Sequence, residues 1–161
     1  MTAHEYNTCV LSLADALFRF AKKCTGSDED AQDAVQNAFA VLWEKRSDVP
    51  VGKAKSYLFQ VAYRGSVDAF RQKRRTVLAD DPYPETAGGS MPSADLRRHL
   101  ERALQRLDDQ ARALVLLKDY EGYSYTEIGE ITGLTDAQVR VYLHRARKSL
   151  KEYLVSVEHI L

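Results

Sequence analysis

Apolar residues recur at three- and four-residue intervals in both halves of this chain, and no period-two alternation competes with them, so helices are expected throughout. Val10, Leu13, Ala14, Leu17, Phe18 and Ala21 share one helical face. Ser27 then offers a capping hydroxyl, and Asp28, Glu29 and Asp30 place negative charge at the positive end of the next helix dipole. That helix is expected over about 28–45, with Ala31, Val35, Ala38, Phe39 and Leu42 on its inner face. After a loop holding Pro50 and Gly52, a third helix is expected over about 54–75. It turns Tyr57, Leu58, Val61, Ala62 and Phe70 inward or to the edge and ends in a dense basic tail.

In the second half, Leu96, Leu100, Leu104 and Leu107 form a stripe behind a cap at Ser93, and Asp108 or Asp109 opens a further helix through Leu114 and Leu117. Two short, punctuated signals follow. Ser124-Tyr125-Thr126-Glu127 and Thr135-Asp136-Ala137-Gln138 both fit the capping box, in which a hydroxyl satisfies an orphan amide and the third side chain reaches back. Gly133 lies between them and can take the left-handed conformation that ends a helix. The pattern predicts a short helix, a tight turn and a longer helix over about 136–155, which is the helix-turn-helix plan.

Between the halves, residues 76–93 hold three of the four prolines, adjacent Gly88 and Gly89, and no basic residue. Such composition sustains neither helix nor strand, so a flexible acidic linker is expected at 77–93, between an all-helical unit at 1–76 and another at 94–161. Charge supports the division. The 161 residues carry 23 basic and 23 acidic side chains, yet 1–77 carry 12 and 9, 78–95 carry none and 4, and 96–161 carry 11 and 10. A neutral total therefore conceals two mildly basic halves joined by an acidic tether. Cys9 and Cys24 are too few for a disulfide framework or a four-ligand zinc site, and inert thiols are expected rather than redox sensors. No metal or other cofactor is expected. No apolar run approaches the roughly 20 residues needed to span a bilayer, and the first residues lack a signal peptide's basic start, so a cytoplasmic protein without stable membrane insertion is expected.

The longer helix of the second half carries the sharpest chemistry. Val139, Leu143, Ala146 and Leu150 recur at inward spacing, while Arg140, His144, Arg145, Arg147, Lys148 and Lys151 fall on other faces. Residues 137–151 include five Lys or Arg and no acid, where a merely solvated helix interleaves both signs, so the segment is organised for an anion. Arg140 and Arg145 are placed to fork onto guanine or grip phosphate, and Arg147 and Lys148 suit phosphate contacts that set position without reading sequence. The other basic cluster, Arg71-Gln72-Lys73-Arg74-Arg75, follows Phe59, Tyr63 and Phe70. Cations interleaved with aromatics suit an opened strand, because bases stack on rings while cations track the backbone, although Phe59 and Phe70 taken singly fit a core position better. No phosphate-cradling glycine loop, paired carboxylates or nucleophile with an ordered base is evident, so an enzyme is not expected.

With these residues in view, the chain resembles an extracytoplasmic-function (ECF) sigma factor. DAQDAVQNAFAVLWEK at 30–45 is similar to the family's polymerase-binding segment, KSYLFQVAYRGSVDAFRQKRR at 55–75 to the segment that recognises and melts the −10 element, and YEGYSYTEIGEITGLTDAQVRVYLHRARKSLKEYL at 120–154 to the −35-reading helix-turn-helix. The resemblance implies that Asp33, Gln36, Asn37 and Phe39 face the clamp helices of the polymerase beta-prime subunit. It places Tyr57, Phe59, Tyr63 and Arg64 near the −10 strand, with the loop at 47–53 helping to hold an extruded base and Arg71, Lys73, Arg74 and Arg75 on nearby phosphates. Arg140, Val141, His144 and Arg145 are implied to meet −35 bases. The implied partners are core RNA polymerase (beta-prime clamp helices and beta flap), promoter DNA and an anti-sigma factor. The pattern departs from the family's usual one at Asn37, Arg64, Val141 and Tyr142, so promoter preference does not transfer from a relative.

Overall fold

A computed structural model of the chain describes residues 1–76 and 92–158, with side chains described within 1–72 and 95–155. The tether expected at 77–93 lies outside the described residues except for Pro92 and Ser93. The first half consists of α1 (Ala3–Thr25), α2 (Asp28–Glu44) and α3 (Ala54–Thr76), each packed on the other two. The second half consists of α4 (Pro92–Arg106), α5 (Asp109–Val115), α6 (Tyr125–Thr132) and α7 (Asp136–Glu158). The all-helical expectation holds for both.

Local chemistry sets the helix ends. Thr2 Oγ1 accepts from the Glu5 amide at 3.1 Å while Glu5 Oε1 accepts from the Thr2 amide at 3.0 Å, a capping box that starts α1. Ser27 caps α2 through the Asp30 amide at 3.3 Å. Asp108 caps α5 through the Ala111 amide at 2.7 Å, which decides between the two aspartates expected there. α4 begins at Pro92, ahead of the cap expected at Ser93, because proline suits a first helical turn whose amides have no intrahelical acceptor. Leu96, expected to face inward, is instead 66% exposed. Further along the stripe, Leu100 packs partly buried against the core and Leu104 and Leu107 are buried in it.

The apolar interior runs through both halves. Leu17, Phe20, Leu42, Leu58 and Phe59 belong to the same cluster of buried residues as Leu104, Leu114, Leu117, Ile128 and Leu143. α3 packs on α6, and α1 meets α5. A π-type turn at Leu116–Tyr120 follows α5, closed by the Glu121 amide on the Leu116 carbonyl and the Tyr123 amide on the Leu117 carbonyl, each at 3.0 Å. It delivers Glu121 and the buried Tyr123 to the first half. Among the described residues, no helix is long and apolar enough to cross a membrane.

Candidate nucleic-acid interface

The turn between α6 and α7 follows directly from its sequence. Ser124 and Glu127 exchange hydrogen bonds at 3.1 and 3.2 Å, and Thr135 and Gln138 exchange them at 3.2 and 3.0 Å, so both expected capping boxes form. Gly133 ends α6 at φ 81°, and its amide reaches the Gly129 carbonyl at 2.8 Å. Gly129 is the tighter requirement: a Cβ there would lie 2.6 Å from the Leu134 carbonyl oxygen, inside any permitted contact. Val139, Leu143 and Ala146 are buried beneath α7, as their spacing predicts.

That packing turns Arg140, Val141, His144, Arg145, Arg147, Lys148 and Lys151 outward, all of them exposed. Val141 is 47% exposed at the centre of this face, an apolar group suited to a thymine methyl. The cations are not equally available. Arg147 is held by Asp119, its Nε at 3.0 Å from Oδ2 and its Nη2 on Oδ1. The Arg140 guanidinium lies 4.4 Å from the Tyr125 ring centroid, and Lys118 Nζ lies 4.5 Å from the same ring. Tyr125 thus orients the first arginine of this exposed face, a role no sequence periodicity announces.

In the first half, Asp33, Gln36 and Asn37 stand exposed on α2, opposite its buried Ala31, Ala34, Val35 and Ala38. Phe39 is half-buried against the core, and its carbonyl accepts the Tyr6 hydroxyl at 2.8 Å. Trp43, next along that surface, is covered by the Arg46 guanidinium at 3.8 Å from its ring centroid. On α3, Tyr57 and Tyr63 are half-buried and Arg64 is exposed. Burial pushes the Tyr63 phenol above its ordinary value. Phe59 is fully buried, its ring centroid 5.5 Å from that of Phe20 and 5.1 Å from that of Tyr123. It is a core ring in this arrangement, as its apolar spacing favours, and offers no face to a base. Arg71 is exposed but engaged, its Nε 2.8 Å from Asp109 Oδ2. The side chains of Lys73, Arg74 and Arg75 lie outside the described residues.

A set of residues that motif reading passed over joins the halves. Lys53 Nζ and Ser56 Oγ donate to the two carboxylate oxygens of Glu130 at 2.9 and 3.0 Å. Lys55 Nζ donates to Glu127 at 2.7 Å and lies 3.9 Å from the Tyr123 ring centroid. Arg19 meets Glu121 through two bonds at 3.0 and 3.3 Å. These partners hold the Glu127 and Glu130 carboxyls below their ordinary value, through Lys55 and then the Ser124 amide for the first, and through Lys53 and then Ser56 for the second. Arg112 is 1% exposed, donates to the Leu107 carbonyl and to Asp109, and stacks 4.2 Å from the Phe70 ring centroid. Cys24 is buried nearby, and burial pushes its thiol up to about 12, so it stays protonated and unreactive at neutral pH. Among the described residues, no group of three or more His, Cys, Asp or Glu is placed to hold a metal ion.

Residues 9–76 match the model of Sigma-70 region 2, and residues 97–150 match that of Sigma-70, region 4. The chain is 31% identical over 133 residues to RNA polymerase sigma factor CarQ of Myxococcus xanthus, an alignment spanning 80% of this chain and 76% of that protein. This chain belongs to the ECF family of RNA polymerase sigma factors. It is also 31% identical over 152 residues to the ECF RNA polymerase sigma factor SigE of Mycolicibacterium smegmatis, where the alignment spans 88% of this chain but only 58% of the relative. ECF sigma factors are non-catalytic subunits that direct RNA polymerase to particular promoters. Two solved structures share the fold. The sigma factor RpoE in complex with the anti-sigma factor NepR from Bartonella quintana aligns with a TM-score of 0.71 at 23% identity, over 92% of this chain and 96% of that one. CnrH in complex with the cytosolic domain of CnrY aligns with a TM-score of 0.74 at 22% identity, over 94% of this chain and 88% of that one.

Proposed function

We propose that this chain binds core RNA polymerase through α2, opens the −10 element with α3, and reads the −35 element with α7, as a cytoplasmic initiation factor. The division is residues 1–76 for the first two tasks, 77–93 as tether and 94–161 for the third. Asp33, Gln36 and Asn37 face the beta-prime clamp helices, with Phe39 setting their helix against the core. Tyr57, Tyr63 and Arg64 lie along the melted strand, and Arg71, Lys73, Arg74 and Arg75 hold its phosphates, while Phe59 supports them from beneath. Arg140, Val141, His144 and Arg145 meet −35 base edges, Lys148 holds backbone, and Arg147 does so once Asp119 yields it. The second half also meets the beta flap. An anti-sigma factor is the expected regulator, as in the NepR complex of one structural relative.

The observation that carries this reading is the outward face of α7, five cations and Val141 on the second helix of a helix-turn-helix whose two helices each start at a capping box and whose turn only glycine fits. Opening DNA requires no covalent chemistry: unstacking a base costs a few kcal/mol, which a binding pocket for the extruded base offsets. Run-off transcription with purified core polymerase on a promoter library tests the reading. The expected result is transcripts from a few related promoters that appear only with this chain. Indifference of core polymerase to its addition would overturn it.

A further inference from the structure

Among the described residues, four ion pairs join the two halves, and all four have the same polarity. Arg19, Lys53, Lys55 and Arg71 of the first half meet Glu121, Glu130, Glu127 and Asp109 of the second. Nothing about folding alone demands that sorting, since each half carries both signs. Three of the four cations sit on α3 or at its entry, and one of them, Arg71, is among the residues that the proposed function sets on DNA phosphates. Each carboxylate presents to its cation what a phosphate presents, an anionic oxygen at 2.7–3.0 Å.

The packed arrangement is also incompatible with reading a promoter. Elements at −10 and −35 are roughly 85 Å apart along a duplex, at about 3.4 Å per base pair. Here α3 touches α6 and α6 touches α7. At about 8–10 Å per helix contact, the reading helix lies roughly 20 Å from α3. The 17 residues of 77–93 reach at most about 60 Å when extended, enough with the breadth of the two halves to bridge the promoter, but only after the seam has parted.

We propose that Asp109, Glu121, Glu127 and Glu130 form an intramolecular stand-in for nucleic-acid backbone, holding the free chain closed until the phosphates of a single strand displace them. This rests on the sigma-factor reading of α3. Closure sets Tyr123 edge-on against Phe59 and occupies the cations flanking that seam, so an aromatic contact and a charged rim close together. The pairs at Lys53 and Lys55 are partly exposed and therefore individually weak and screened by salt, which makes the latch reversible.

The test compares the full-length chain with Glu127→Gln/Glu130→Gln, in which a glutamine still serves the capping box of α6. A second variant, Glu101→Gln/Glu152→Gln, removes the same charge from exposed positions that make none of the four ion pairs. The probe is a fluorescein-labelled, mixed-sequence 20-nucleotide single strand, followed by anisotropy at low salt. Because apparent affinity scales with the open fraction, the seam variant should bind about two- to tenfold more tightly, and the control should gain much less. Equal gains in both would show bulk charge at work and overturn the latch, as would no gain in either. Solution X-ray scattering supplies a second readout: Lys53→Glu should expand the chain, and adding Glu130→Lys should compact it again. Failure of the reversed pair to recompact also overturns it. Core-dependent run-off transcription on the same chains reports on the sigma-factor reading alone, so the two can fail separately.

Discussion

In the proposed function two helices face DNA, and they present themselves in opposite ways. α7 turns Arg140, Val141, His144, Arg145 and Lys148 into solvent, with its packing groups beneath. α3 has its central ring Phe59 buried and Arg71, with Lys53 and Lys55 at its entry, already bonded to carboxylates of the other half. The difference lies in what builds each surface. The proposed reading face is a product of the second half alone, where α7 packs on α4, α5 and α6, so it is complete whenever that half folds. The opening face depends on a partner far away in sequence, so its availability changes with the packing of the halves. A chain of balanced charge thereby keeps one DNA surface displayed and the other occupied.

The largest effect that breaks this contrast is expected from Tyr123→Ala. Tyr123 packs edge-on against Phe59, supports the Lys55 ammonium, and has its phenol pushed up to about 12 by burial. Removing a large buried ring costs about 3 kcal/mol or more, and here the loss falls on the joint between the halves. Urea unfolding should show that loss, and amides near Phe59 should exchange faster while those of α7 keep their protection. A stability unchanged within error would mean that the seam contributes nothing to the fold. Gly129→Ala attacks the other side of the comparison. Its methyl would meet the Leu134 carbonyl, and overpacking of that kind costs about 1–3 kcal/mol. Duplex binding through α7 should fall while single-strand binding by the first half survives. A chain that melts and binds duplex like the parent would remove the close approach as the reason for glycine.

How legible the molecule was follows the same line. Helix positions, both capping boxes, the Gly133 turn and the buried set under α7 could all be read because each rests on residues within a few positions of one another. The boundary at Pro92 was missed because a serine beside it offered an equally good local signal. Leu96 was misplaced because periodicity gives a face and not how far along the helix a partner extends. The seam left no trace in any motif. Glu127 is legible as a capping residue and Lys55 as a member of a basic segment, but the bond between them spans 72 residues and depends on how two units pack. Asp119 likewise gives no sign in the sequence that it holds Arg147.

That hidden pairing sharpens the expectations for α7. Arg145→Ala should cost about 1–3 kcal/mol of binding, concentrated at one base pair, because a forked arginine reads a base edge. Arg147→Ala should cost less than about 1 kcal/mol and do so evenly across sequences, since the arginine already spends its donors on Asp119. A promoter-selection readout on a randomised −35 duplex separates the two, and matching profiles would contradict the division. The salt dependence of duplex binding carries the same information. Three cations on phosphate, Arg147, Lys148 and Lys151, would give a log–log slope near −2.7, at about −0.9 per contact, whereas a chain that keeps Arg147 on Asp119 should give about −1.8. Asp119→Asn should move the slope toward the steeper value.

The smallest expected effect concerns acid, and it bears directly on the occupied helix. Glu127 and Glu130 have carboxyls held below the ordinary value of 4.5 by Lys55 and Lys53. A carboxyl depressed in the packed state binds fewer protons there than in the opened chain, so its contribution to closure is complete above about pH 4.5 and is lost as pH falls through the lower, packed value. Both groups are partly exposed, which keeps the contribution small and salt-sensitive. Scattering profiles of the parent and of Glu127→Gln/Glu130→Gln should therefore differ at neutral pH and converge below that threshold at low ionic strength, because protonation makes the parent chemically equivalent to the variant at these two positions. A difference that persists unchanged into acid would mean that shape and hydrogen bonding, rather than charge, distinguish glutamate from glutamine here, and would move the control of α3 from its ionic rim to the aromatic contact of Phe59 with Tyr123.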